Sequence, residues 1–268
     1  KLNIRLIHDT WDNFTIFQNN FINFKKKCEV KLEDNFNLTN NSINNINYNI
    51  NVEEDATIKH NIFQNFANSN KLYLTSNTVC EKNSSYSQNT YNFSDGFVRN
   101  FHHVKLNGEF SKSSLKGCFF LKDKNICSNK TNIIHNAENC ISDQTYKGIL
   151  NDHSKASYYS NTFVSENAQK TEGYQLSKGI LLTDNCSFFS KPELRIFADD
   201  VKCSHGSTIG PVDESALYYL RSRGISKNEA MKMIISSFIE EDLQNLDKNI
   251  AERVSKNLSD YLTNLVND

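Results

Sequence analysis

The sequence has no C-x-x-C pair, no phosphate-cradling G-x-x-x-x-G-K-S/T loop, no long apolar run and almost no net charge. Each absence closes off a class of function. Without a C-x-x-C pair neither a zinc ribbon nor a redox dithiol is supported. The seven cysteines, an odd number at irregular spacing, read as reduced thiols in a reducing compartment. Without a phosphate loop the chain is not expected to bind ATP, so any ATP dependence has to come from a partner. No stretch approaches the ~18 apolar residues of a membrane span. A net charge of -1 gives no sign of a nucleic-acid or membrane-surface partner.

Prolines number two and glycines nine, while Asn, Lys, Ile, Phe and Tyr abound. These are residues of AT-rich codons, so the asparagine load reads as genomic. Sequons such as Asn13-Phe14-Thr15 arise by chance in such a chain and are weak evidence for secretion. The sequence starts at Lys1 with neither a charged n-region nor an apolar h-region, and it is expected to be a mature or trimmed form whose targeting peptide is absent.

What is present is a change of physical period within residues 192–224. Before Gly210 the pattern is strand-like: Val201, Cys203 and His205 fall two apart and share one face, while Lys202 and Ser204 point the other way. After Pro211 it becomes helical. Asp213 is an N-cap for a helix over residues 214–223, and Gly224 supplies the left-handed position that ends it. Ser226 and Glu229 form a capping box for a second helix, with Ala230, Met233, Ile234 and Phe238 as its stripe and Met231, Ile235 and Ile239 widening it. Ile250, Val254, Leu258, Tyr261, Leu262 and Leu265 mark a third.

Upstream, no helix-length amphipathic stretch interrupts residues 52–210. Short alternating pieces recur, with Gly or Asn expected at their corners, as in Leu106-Asn107-Gly108-Glu109 and Leu115-Lys116-Gly117-Cys118. Val52-Glu53-Glu54-Asp55-Ala56 echoes Val164-Ser165-Glu166-Asn167-Ala168, which suggests turn-then-strand units stacked on one another. A β-sandwich is the alternative, but the echoes favour a right-handed parallel β-helix. The expected organisation is a mainly β chain: a β-helix over residues 1–212, with the Asn-rich segment 35–51 as a flexible surface insertion, then a small helical domain over 213–268 that closes the open end of the stack.

His205 and Cys203 are the candidate ligands. Imidazole and thiolate both suit iron, although a lone strand histidine is also a common structural residue and Cys203 equally suits packing. Asp199-Asp200 resembles an acid pair, but adjacent strand residues face opposite ways, which argues against joint acid–base work.

The run Ala198 to Ser226, ADDVKCSHGSTIGPVDESALYYLRSRGIS, resembles the C-terminal signature of the SufB/SufD family, subunits of the SufBCD iron–sulfur cluster assembly machinery. Phe97-Val98-Arg99-Asn100, Leu106-Asn107-Gly108-Glu109, Tyr146-Lys147-Gly148-Ile149-Leu150 and the AQKTEGYQ run beginning at Ala168 are similar to it as well. The resemblance independently implies a β-helix. It further implies a non-catalytic scaffold subunit of the SufD branch that pairs with SufB and engages the ATPase SufC through its C-terminal helices, where Leu217, Tyr218, Arg221 and Arg223 lie. His205, with Cys203 beside it, would then be an iron or transient cluster ligand at the SufB interface. The chain departs from the SufB branch at Lys170, where that branch has a cysteine, and at Gly206, where it has a glutamate, so it is not expected to hold a cluster alone. The competing functions are a carbohydrate-active β-helix enzyme and a purely structural β-helical interaction protein. A Suf component with AT-driven composition points to an apicoplast-type plastid stroma, with a bacterial cytoplasm as the alternative.

Overall fold

A computed structural model describes residues 2–38, 41–66, 70–243 and 246–267, without the side chains of 241, 242 and 264–267. Strands β1 (Leu2–Asp9), β3 (Glu29–Asn37), β5 (Thr57–Gln64), β7 (Ser85–Asn92), β9 (Lys112–Leu121), β11 (Ile141–Leu150), β13 (Thr171–Leu181) and β15 (Val201–Pro211) form one sheet in that order. Strands β2 (Thr15–Phe24), β4 (Ile43–Val52), β6 (Asn70–Cys80), β8 (Gly96–Leu106), β10 (Ile126–His135), β12 (Lys155–Val164) and β14 (Ser187–Ile196) form the other. We call them the odd and even sheets. Every pairing is parallel, and the chain passes from one sheet to the other at each corner. That alternation makes a parallel β-helix and excludes the antiparallel sandwich.

The register holds over the whole stack. Leu2 sits opposite Val30 and Val30 opposite Ile58, so each coil places its inward residues on those of the next. The Asn-rich segment belongs to this register. Residues 35–37 lie in β3 and 43–51 in β4, where Asn44, Ile46, Tyr48 and Ile50 are buried and the asparagines between them face out. The expected flexible insertion is therefore corrected for its described residues; 39 and 40 lie outside them. The outward asparagines also carry structure: Asn47 donates to Asn19 at 3.0 Å and Asn51 to Asn23 at 3.1 Å, each pair 28 residues apart and one coil down. Ladders of this kind satisfy amide donors and acceptors on an exposed sheet face.

The corners explain how few glycines suffice. Lys27, Asp55, Asn83, Asn139 and Lys170 adopt φ between 57° and 62°, the left-handed region in which Asn and Asp are the tolerated non-glycine residues. Each turns its amide onto the neighbouring coil, with Lys27 N to Glu54 O and Asp55 N to Lys82 O both at 3.0 Å. The ladder thereby continues around the bend. Both echoed segments lie at corners, and each ends in a fully buried alanine, Ala56 or Ala168. Gly117 is not at a corner. It lies within β9, where an added Cβ would come within 2.3 Å of the Tyr146 ring, so its role is to admit that buried side chain.

The interior is polar along part of its length. Asp34 and His60 are fully buried and meet at 2.8 Å, and His8 approaches the other carboxylate oxygen at 3.5 Å. Burial alone would push the Asp34 carboxyl up, but the two histidines outweigh it and hold it at about 2. From His60 the chain of contacts runs through Tyr86 (2.9 Å) to Gln88 (2.9 Å), which also accepts from Ser76, and Ser76 lies 2.8 Å from His102.

Helices α1 (Glu214–Ser222), α2 (Lys227–Leu243) and α3 (Lys248–Asn267) follow. Asp213 caps α1 by accepting from the Ser215 and Ala216 amides, and Gly224 ends it at φ 86°. The Ser226 hydroxyl accepts from the Glu229 amide at 3.2 Å at the start of α2. The helices do not close the end of the stack. Helices α2 and α3 fold back along the outer face of the odd sheet, where Phe63, Tyr91, Cys118, Phe120 and Ile149 share a core with Ile235, Ile239, Ile250, Val254, Leu258 and Tyr261. Tyr261 donates to the Leu121 carbonyl at 2.9 Å, and the buried Lys147 amine donates to the Phe238 carbonyl at 2.8 Å. The α2 stripe is accordingly rotated: Ala230, Ile235 and Ile239 are buried, while Met233 is 48% exposed. In α3 the expected stripe is buried from Ile250 to Leu262, and the side chain of Leu265 lies outside the described residues.

Buried neutral histidines make this fold acid-labile. Burial, with a smaller contribution from His60, pushes His102 down to about 3, and burial pushes His135 down to about 4. Both folded values lie below the ordinary 6.5, so the unfolded chain takes up protons first, and stability is lost as pH falls from about 6.5 toward 4 and 3. Asp34 adds a loss below its ordinary 3.8. Denaturant unfolding should give a free energy about 2–4 kcal/mol lower at pH 5 than at pH 7.5. His102→Gln should remove roughly half of that difference; a flat profile would contradict the assignment.

Candidate functional site

The site is built at the last corner and the strand that leaves it. Ala168-Gln169-Lys170 forms the corner before β13, and residues 198–200 form the one stacked on it. The Lys170 amide donates to the Asp200 carbonyl at 2.6 Å, and the Asp200 amide donates to the Gln169 side chain at 2.9 Å. This double clamp fixes where β15 begins. Val201 then sits opposite Thr171, Cys203 opposite Gly173 and His205 opposite Gln175. Thr171, Gly173 and Gln175 are buried, so the alternation of the strand aims Val201, Cys203 and His205 inward as well.

Inward here does not mean buried. The odd sheet ends at β15 and the even sheet at β14, so no further coil covers these residues. Cys203 is half-buried and His205 is exposed. Gly173 leaves room for the sulfur: an added Cβ would lie 3.3 Å from Cys203 Sγ and 3.3 Å from Thr162. Burial pushes the Cys203 thiol up, opposed in part by a hydrogen bond involving the Gly173 backbone. The group is a thiol in this chain and needs a metal or a cationic neighbour to become thiolate. Beneath His205, Gln175 is fully engaged, donating to Thr162 at 2.8 Å and to the Glu193 carbonyl at 3.1 Å while accepting from Ser160 at 3.1 Å. Among the described residues the His205 side chain makes no hydrogen bond, which leaves its ring nitrogens open to the end of the stack.

The edge around them is apolar: Phe189 is 55% exposed, Ile196 37% and Phe197 61%. Two unpaired parallel strand edges frame it, one from each sheet. Among the described residues, no three His, Cys, Asp or Glu side chains gather closely enough to hold a metal ion. Asp199 and Asp200 are exposed residues of the corner, not of the strand, and Asp200 is committed through its backbone.

In α1 and the Arg223 that follows it, the four candidate partner residues divide. Leu217 is buried, whereas Tyr218 is 76% exposed and Arg221 and Arg223 are exposed, the Arg223 guanidinium lying 5.3 Å from the Tyr219 ring centre. Leu217 is thus a packing residue, and the other three are on the solvent side. Sequence reasoning did not single out Gln175 and Gly173. Their signal was the alternation of Thr171, Gly173, Gln175 and Ser177, which matches β15 two residues at a time.

The chain is a parallel β-helix whose last coil carries a cysteine and a histidine on its inner face. The family profile described as "SUF system FeS cluster assembly, SufBD core domain" matches residues 6–238, and the chain belongs to that family. It is 37% identical over 138 residues to the iron-sulfur cluster assembly protein SufD of Escherichia coli, which covers 52% of this chain and 33% of that protein. Over 209 residues it is 29% identical to the SufD of Plasmodium falciparum, covering 76% of this chain and 14% of that protein. Over 84 residues it is 42% identical to the chloroplastic protein ABCI7 of Arabidopsis thaliana, covering 31% of this chain and 18% of that one. The chain therefore spans a third or less of each of these relatives.

Thiol accessibility should separate the cysteines. Cys28 and Cys203 are half-buried and the other five are buried, with burial pushing Cys80 and Cys127 up to about 12. In the folded protein two thiols should react with a disulfide reagent within minutes, and Cys203→Ser should remove one of them. Seven equally fast thiols would contradict the burial pattern.

Proposed function

We propose that this chain is the core of a non-catalytic scaffold subunit of the SUF machinery. It pairs with SufB through the open edge of β14 and β15, and the cluster or its iron is the cargo handled at that junction. The observation that carries the reading is the placement of His205 and Cys203 on the inner face of a coil that nothing in the described chain covers. One imidazole and one thiol fall short of the four ligands a cluster takes, so the partner supplies the rest. The isolated chain then binds iron weakly and is colourless. ATP enters only through SufC, which docks on the exposed side of α1 at Tyr218, Arg221 and Arg223. The chloroplastic and Plasmodium relatives support a plastid stroma of the apicoplast kind as its location, with a bacterial-type cytoplasm as the alternative.

His205→Ala tests the site. The side chain is exposed and without a hydrogen-bond partner, so folding and SufB pairing should be unchanged within about 0.5 kcal/mol. Iron affinity of the complex should fall at least ~10-fold, since loss of a ligand costs no less than loss of a group that orients one. Normal cluster yield from the variant complex would make His205 a structural residue. The SufC interface needs point substitutions, because deleting the helices would uncover the apolar face of the odd sheet. Tyr218→Ala with Arg221→Glu should weaken SufC capture ~10-fold or more while leaving the melting temperature intact, as losses at interface aromatic and arginine positions do; unchanged capture would remove α1 from the interface.

A further inference from the structure

The even sheet leaves its whole outer face uncovered, since the helices occupy the odd sheet. Its side chains are not those of an ordinary solvated surface. Along β8 the outward positions read Phe97, Arg99, Phe101, His103 and Lys105. Across the strands Phe101 stands beside Lys130, Lys130 beside Tyr159, and Tyr159 beside Lys191, so rings and cations alternate in both directions. Lys71, Arg99, Lys105, Lys130, Lys155 and Lys191 have no carboxylate partner among the described residues. Glu193 is the one outward carboxylate on β4 to β14, and Arg195 already pairs with it at 2.7 Å. Of the nearby corner acids, Asp152 accepts from the Asp123 amide at 2.8 Å and Asp95 from Asn125 at 2.9 Å. In a chain of net charge -1 this is a strong segregation of positive charge.

We propose that this face docks a protein with a flat, carboxylate-rich surface. Charge complementarity sets the sign of the partner. Size fits a protein: five outward positions by six strands make a plane of roughly 27 by 24 Å, about 650 Å², of the same order as the ~800 Å² that each side of a standard interface buries. Composition fits too, because aromatic residues and arginine are the anchors of interface centres and lysines serve the rim. A single-stranded nucleic acid fits less well. Its bases need free ring faces along a groove, whereas here the rings lean on each other, Tyr73 on Phe97 at 5.4 Å and 43°, and Tyr159 on Phe189 at 5.6 Å and 46°, and the Lys130 amine covers Phe101 at 5.1 Å. This surface is the outer side of the even sheet, whereas Cys203 and His205 face inward; the two share β14, through Phe189 and Lys191.

The test uses the whole chain and fluorescent poly-L-glutamate as probe, read by anisotropy at low and physiological salt. Binding should weaken with salt and fall at least ~10-fold in the Arg99→Glu/Lys130→Glu/Lys191→Glu variant, as loss of several close charge pairs requires. A control with the same net charge change, Lys112→Glu/Lys227→Glu/Lys256→Glu, should lose less than about twofold, because those lysines lie off this face. All six side chains are exposed; if the face variant fails to fold, the corresponding Gln variant replaces it, with the same ordering expected. Absence of binding, or equal loss in both variants, would overturn the proposal. So would an oligothymidylate or anionic vesicles binding more tightly than poly-glutamate through the same residues, which would assign the face to polyphosphates or lipid.

Discussion

Each coil of a parallel β-helix is completed by the next, through backbone pairing at ~4.8 Å and through inward side chains that rest on the coil below. Among the described residues nothing completes the coil of β14 and β15. The proposed SufB junction follows from that constraint. The corner clamp between Gln169, Lys170 and Asp200 sets the register, the register places Cys203 over Gly173 and His205 over Gln175, and the missing next coil turns two inward residues into exposed ones. An interior position with an open side is where a second chain can add ligands without any rearrangement of the first.

The helices serve a different need from the one the sequence suggested. An odd sheet with Phe63, Tyr91, Phe120 and Ile149 on its outer face would expose a large apolar patch, and α2 and α3 cover it. The even sheet carries asparagine ladders, lysines and partly exposed rings on its outer face and needs no cover. The two faces of one solenoid thus differ in chemistry, and that difference decides where the C-terminal segment lies and leaves the end of the stack free.

The fold was legible because its signals are local. The two-residue alternation, the echo ending in Ala56 and Ala168, and the caps at Asp213, Gly224 and Ser226 each follow from short-range sterics or hydrogen bonding. Misreadings came where composition masked a pattern or where position depends on long-range packing. Asn44 to Asn51 alternate as any strand does, but asparagine on both faces hid it. Gly117 has no corner signal, and its reason, the Tyr146 ring, lies one coil away. Met233 was placed on a buried stripe because nothing local says which side of α2 meets the sheet. That Cys203 and His205 share one face was legible through strand parity; their exposure was not, because that depends on where the stack ends.

Amide hydrogen exchange of the chain alone and in complex with SufB addresses the central claim directly. If the open coil is the pairing edge, amides of β14 and β15, residues 187–211, should exchange markedly more slowly in the complex, while those of β1 and β2 at the opposite end keep their rates. Unchanged exchange over 187–211, with protection appearing elsewhere, would show that SufB meets a different surface and that His205 and Cys203 do not lie at the junction.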